Sequence, residues 1–146
     1  MTLSYNLVLQ AIPDAKGFVK EDLLFQTVSF LADSKQPKGL FIPLYEENSG
    51  DLSTAIANGA IGAIWEEGVV LPSYTPNHFP IFYTKDLKEG LLKMIEIYEK
   101  QLQAQESKTK FIFLKEKSLN SIEESYDIPV IREHVLKTNS QAKGGN

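Results

Sequence analysis

LLFQTVSFLADSKQPKGLFIPL, residues Leu23 to Leu44, places a polar hinge between two strand-like runs. LLFQTVSFL is rich in apolar and β-branched side chains, so it reads as one strand or as two short ones broken near Gln26. The polar set Asp33 to Lys38 follows. Gly39 then opens GLFIPL, a second strand whose Pro43 marks an edge or a strand end. A turn is needed between strands in any case. A tripeptide Asp33-Ser34-Lys35 at that position also offers a carboxylate, a hydroxyl and a cation to a ligand at the sheet's margin.

Outward from this stretch the pattern alternates. Leu3, Leu7, Val8 and Ile12 recur at helical spacing, which predicts a short amphipathic helix over 3–11, ended or kinked by Pro13. YEENSGD (45–51) reads as a polar loop. Leu52 to Asn58 reads as a short helix, capped by Asp51 or Ser53 and stopped by Gly59. AIGAIWEE (60–67) and IFYT (81–84) read as strands, separated by a loop carrying Pro72, Pro76 and Pro80. Asp86 followed by Glu89 resembles a capping box. Leu87, Leu91, Leu92, Met94, Ile95, Tyr98 and Leu102 then line one side of a helix through about residue 103. Gly90 costs that helix about 1 kcal/mol against Ala, which points to a close packing contact there. FIFL (111–114) reads as a strand, 118–125 as a short helix and IPVI (128–131) as a last strand. From Lys137 the chain has no apolar residue larger than alanine and is expected to be loose. Strands alternating with helices predict an α/β fold, a small mixed sheet with helices packed on it.

Composition narrows the chemistry. At 146 residues the chain fits one domain with a small appendage. It has no cysteine, which excludes disulfides, thiol catalysis and cysteine-based metal sites. Net charge is −4, and Lys108 to Lys117 is interrupted by Glu116, so no clustered basic face suits nucleic acid. No segment approaches the roughly twenty apolar residues of a membrane span. MTLSYNLVLQAIPDAKG has no basic start and no long apolar run, so it does not read as a signal peptide, and a cytoplasmic location is expected.

Catalytic and metal patterns are also missing. His78 and His134 sit in no motif, and no paired histidine–carboxylate spacing appears, so neither catalytic nor metal-ligating residues are assigned. No GxxxxGK[ST] loop is present. Gly59 and Gly62 precede their strand rather than follow one, the wrong order for a dinucleotide turn, and read as a helix stop and a close-packing site. Glu66 and Glu67 are adjacent on a strand, point to opposite faces and cannot act as one acid/base couple. Trp65 reads as a core or interface anchor.

ADSKQPKGLFIPL, then LSTAIANGAIGAIWEE, then FPIFYTKDLKEGLLKMIEIYEKQ, together resemble the amino-terminal domain of the Mur ligases over about residues 1–103. Those enzymes add amino acids to UDP-N-acetylmuramic acid in peptidoglycan synthesis, and this domain binds the UDP portion. The resemblance places Asp33, Ser34 and Lys35 at the family's Asp-Ser-Arg. Lysine for arginine keeps the charge and loses the bidentate fork. Where the family has Asp-Gly-His this chain has Glu47-Asn48-Ser49, so Asn48 and Ser49 are the candidate residues there and the histidine is gone. The ATP-binding central domain, with its Gly-Lys-Thr loop, and the acceptor domain have no counterpart. The resemblance thus implies a non-catalytic, UDP-sugar-binding module of cell-wall metabolism with no cofactor. The expected organisation is a Mur-type domain over 1–105, a strand–helix–strand extension over 106–136 packed on it through Phe111, Phe113, Ile128 and Val130, and a flexible tail over 137–146. Two alternatives stay open. One is an interaction or regulatory module that kept the fold and lost the ligand, with Tyr74, His78, Phe79 and Tyr83 as exposed contacts for a protein partner. The other is a fragment that works with an ATPase supplied by a second chain.

Overall fold

A computed structural model describes residues 1–17, 23–115 and 121–138. In chain order the elements are β1 (Leu3–Ser4), α1 (Tyr5–Ala11), β2 (Asp14–Lys16), β3 (Leu24–Phe25), β4 (Thr27–Ser29), β5 (Gly39–Phe41), a 3-10 turn (Glu46–Ser49) and α2 (Leu52–Ala57). They continue as β6 (Ala60–Glu66), β7 (Ile81–Thr84), α3 (Leu87–Leu102), β8 (Lys110–Leu114), β9 (Ile122–Ser125) and α4 (Ile128–Lys137). The result is a mixed α/β fold. Its seven-stranded sheet has the order β2-β7-β6-β5-β4-β8-β9, with a two-stranded β1-β3 ribbon beside it.

The five central strands are parallel and both edges are antiparallel. From β4 the chain steps outward through β5, β6 and β7, then α3 carries it back so that β8 lands on the other flank of β4. Strand order therefore reverses between β4 and β8, the kind of switch point beside whose carboxyl ends open α/β sheets hold ligands. Alternation along the strands divides the core. Val28, Leu40, Ile42, Phe82, Phe111 and Phe113 meet α1, α3 and α4 on one face. Phe41, Ala63, Trp65 and Ile81 meet Leu52 and Ala55 of α2 on the other. Among the described residues no helix is long and apolar enough to cross a membrane.

Local chemistry explains most elements. Ser4 accepts from Leu7 N–H and caps α1, so the helix begins at Tyr5, and Leu3 and Ser4 pair instead with Phe25 and Leu24. Leu23–Leu31 forms two short strands broken at Gln26. Asp51, rather than Ser53, accepts from Thr54 N–H and starts α2. Asp86 does the same for α3 through Glu89 N–H. A Cβ on Gly90 would lie 2.8 Å from Thr84 Oγ1, the close contact that its place in a helix implied. Pro43 lies past the last residue of β5, which is an interior strand.

Five expectations need correction. Residues 122–125 are not helical: IEES forms β9, antiparallel to β8 in the register Leu114↔Ile122 to Phe111↔Ser125. Ion pairs Lys110–Glu124 and Lys115–Glu123 tie that edge, so pairing overrides the helical preference of glutamate. Residues 116–120 lie outside the described set. IPVI is not a strand but the first turn of α4. Asp127 caps it, Pro129 fits its opening turn, and Ile128, Ile131 and Val135 share a buried face at helical spacing. The 106–136 segment is accordingly strand–strand–helix. Phe111, Phe113 and Ile128 are buried in the main core, whereas Val130 is 45% exposed. Phe79 is buried with Trp65 in the core that faces α2, and Tyr83 is half-buried against it, so neither is an exposed contact. The tail expected over 137–146 does not begin at Lys137, which ends α4 with Thr138 as its cap; its remainder, from 139, lies outside the described residues.

Candidate functional site

The connection from β4 to β5 is short and carries no helix, so its own side chains must hold it. Ser29 Oγ donates to Leu31 O (2.7 Å) and accepts from Leu31 N–H. Gln36 is fully buried, and its Nε2 donates to Leu31 O at 2.9 Å and Ser34 O at 3.1 Å, with a longer contact to Ala32 O. Asn58 Nδ2, from the end of α2, donates to Ala32 O at 3.0 Å, and Gln36 N–H donates to Asn58 O at 2.9 Å. One carboxamide thus gathers the carbonyls of a loop that has no ladder of its own.

Two glycines make room for this plug. A Cβ on Gly39 or on Gly59 would come within 2.6 Å of Gln36 O, and Gly59 sits at φ +117°. Gly59 therefore does more than stop α2: no side chain fits between it and the Gln36–Pro37 backbone. Thr27 Oγ1 donates to Pro37 O, and Lys38 takes a left-handed φ of 47° to turn the chain into β5.

The structure brings the two predicted segments side by side. Ala32 N–H donates to Ser49 O at 2.7 Å, and Gly50 lets the backbone pass against Ala32 Cβ. Asp33, Lys35 and Asn48 are exposed. Asp33 and Lys35 make no ion pair among the described residues, so a carboxylate and an ammonium stand two residues apart in solvent. Ser34 is half-buried. Its Oγ and Gln36 Oε1 are buried atoms with no hydrogen-bond partner among the described residues. Ser49 is buried, and its Oγ accepts from Tyr45 N–H at 2.9 Å, so it braces the loop rather than facing solvent.

Sequence reasoning missed Gln36, Asn58 and Tyr45. Nothing in a Lys-Gln-Pro context distinguishes a buried glutamine from a solvated one; the indirect signal was the pair Gly39 and Gly59, whose shared neighbour is Gln36. Tyr45 stands at the carboxyl end of the β4/β8 switch. Its hydroxyl accepts from Leu114 N–H (3.0 Å) and lies 2.6 Å from His134 Nε2. Burial pushes the phenol far above its ordinary value of 10.0, and the Leu114 hydrogen bond offsets only part of that.

A concavity of about 850 Å³ lies elsewhere. It opens between the carboxyl end of α3 and the amino end of α4, lined by Leu102, Ser107, Tyr126, Asp127, Ile128 and Pro129. None of the five sequence-predicted residues lines it. It follows from consecutive left-handed residues, Gln103 and Ala104, that swing the chain away from α3. We place the candidate site at the 33–36 loop because that loop sets exposed charges beside two oxygens that have no hydrogen-bond partner among the described residues, and the groove holds no such oxygen. Comparison with protein families finds no matching family model, and comparison with curated proteins finds no matching sequence.

Proposed function

We propose that this chain is a non-catalytic binding module for a UDP-sugar of the UDP-N-acetylmuramic acid type, acting in the cytoplasm on a cell-wall precursor. The observation that carries the reading is the loop between β4 and β5. It presents Lys35 as a free cation for a phosphate oxygen, and beneath it lie Ser34 Oγ and Gln36 Oε1, buried oxygens with no hydrogen-bond partner among the described residues. Asn48 joins them from the neighbouring turn, held close by the Ala32–Ser49 hydrogen bond. The similarity of ADSKQPKGLFIPL to the Mur ligase amino-terminal pattern supplies the ligand class.

Amide-shift titration with UDP-N-acetylmuramic acid and with UDP tests it. Saturable shifts confined to residues 33–38 and 48–50 are expected. Absence of shifts at millimolar ligand, where about −4 kcal/mol of binding would register, removes the ligand. Hydrolysis of a nucleoside triphosphate by the purified chain would make it an enzyme and overturn the non-catalytic reading. The second reading, an interaction module, draws on the connection after β6, where Val69, Val70 and Tyr74 are exposed. Under that reading the titration is silent.

A further inference from the structure

We propose that His134 and Tyr45 are positioning residues for the 32–36 loop, so that the seating of α4 on the sheet sets the geometry of the candidate site. The inference deepens the binding reading and rests on it only for its ligand consequence.

The geometry is a continuous chain of contacts across the switch point. The His134 ring, in the last turn of α4, touches three strand exits. It stacks on Phe30 after β4 (6.3 Å, 11°), meets Tyr45 after β5 edge-on (5.9 Å), and lies 4.8 Å from Phe113 in β8. Tyr45 carries the contact onward. Its hydroxyl is shared by Leu114 N–H and His134 Nε2, and its backbone N–H donates to Ser49 Oγ. Ser49 O accepts from Ala32 N–H, and Ala32 O receives Asn58 Nδ2 beside Gln36. The Leu114 amide proton and the phenol proton both find an acceptor when Leu114 donates to the phenol and the phenol donates to Nε2. The Tyr45–Ser49 link closes the turn after β5 and the others join different elements, so displacing His134 leaves the Tyr45 hydroxyl held only by Leu114 N–H. Independently, Lys88 Nζ in the first turn of α3 donates to Leu136 O and Thr138 O, clamping the end of α4 where His134 lies. The helix end is held from two sides, and one of those holds runs to the ligand loop.

Amide hydrogen exchange on the ligand-free chain tests the coupling without any ligand. Tyr45→Phe removes the shared hydroxyl and keeps the ring. His134→Leu removes the imidazole, and His134→Gln restores an acceptor. Exchange at Ala32 is expected to rise about tenfold in Tyr45→Phe and His134→Leu, the loss of roughly one hydrogen bond. It should return toward wild type in His134→Gln, with Met94 and Ile95 of α3 unchanged throughout. Unchanged Ala32 exchange alongside faster Leu114 exchange overturns the proposal. So does equal exchange at Ala32 in His134→Leu and His134→Gln, a comparison that still decides if Tyr45→Phe loses protection everywhere. A parallel UDP titration separates the two ideas. Weaker binding by the coupled variants supports both, whereas faster Ala32 exchange in a chain that never binds UDP keeps the coupling and removes the ligand.

Discussion

Replacing Gln36 by methionine keeps the volume and deletes both ends of the carboxamide. Two protons on Nε2 make two good bonds, to Leu31 O and Ser34 O. Their loss costs about 1 kcal/mol each. Leu31 O keeps Ser29 Oγ and Ala32 O keeps Asn58 Nδ2, whereas Ser34 O keeps no partner among the described residues. Against this, Oε1 is buried and unpartnered, and removing it returns about 1 kcal/mol. The balance is a loss of roughly 1 kcal/mol, or about 3–4 °C in Tm for a chain of this size. Urea denaturation should show a lower midpoint at unchanged slope, and amides 31–38 should lose protection before the sheet does. A Gln36→Met chain as stable as wild type, with the loop still protected, would refute the reasoning, because the carboxamide would then not be what holds the connection.

Other outcomes follow from the same structure. Gly90→Ala gains about 1 kcal/mol of helix propensity but drives a methyl against the Thr84 side chain, an overpacking cost of about 1–3 kcal/mol. Thermal melts should show a net loss of about 1 kcal/mol, largely recovered by adding Thr84→Ala. Lys35→Ala should weaken UDP binding about tenfold by titration calorimetry while leaving stability unchanged, and Lys35→Arg should strengthen it by supplying the fork. Burial raises the Tyr45 phenol pKa in the folded state, so its contribution is complete below 10.0 and lost as pH rises above that value. Alkaline denaturation followed at the tyrosinate band should show the Tyr45 step only with unfolding, and that step should be missing in Tyr45→Phe. Truncation after residue 105 should give an insoluble product, since β8 covers one flank of β4 and its loss bares an interior strand.

The sequence alone determined the elements whose signals are local. α3 was legible because one apolar face repeats over four turns between an Asp cap and a polar break. β6 and β7 were legible because uniformly apolar runs lie between turn residues. Asp33 and Lys35 were legible as presented charges, since neither has a local reason to be buried. What tertiary structure decided is everything that depends on a distant partner. IEES became a strand because β8 lay open beside it, although its glutamates favour helix. IPVI became a helix because its apolar period reaches Val135, beyond a four-residue window. Gln36 is a buried plug because Gly39, Gly59 and three carbonyls from elsewhere in the loop converge on it. Tyr45 meets His134 across 89 residues of chain because strand order reverses at β4. Local propensities are worth fractions of a kcal/mol per residue, and contacts made across the chain outweigh them wherever the two disagree.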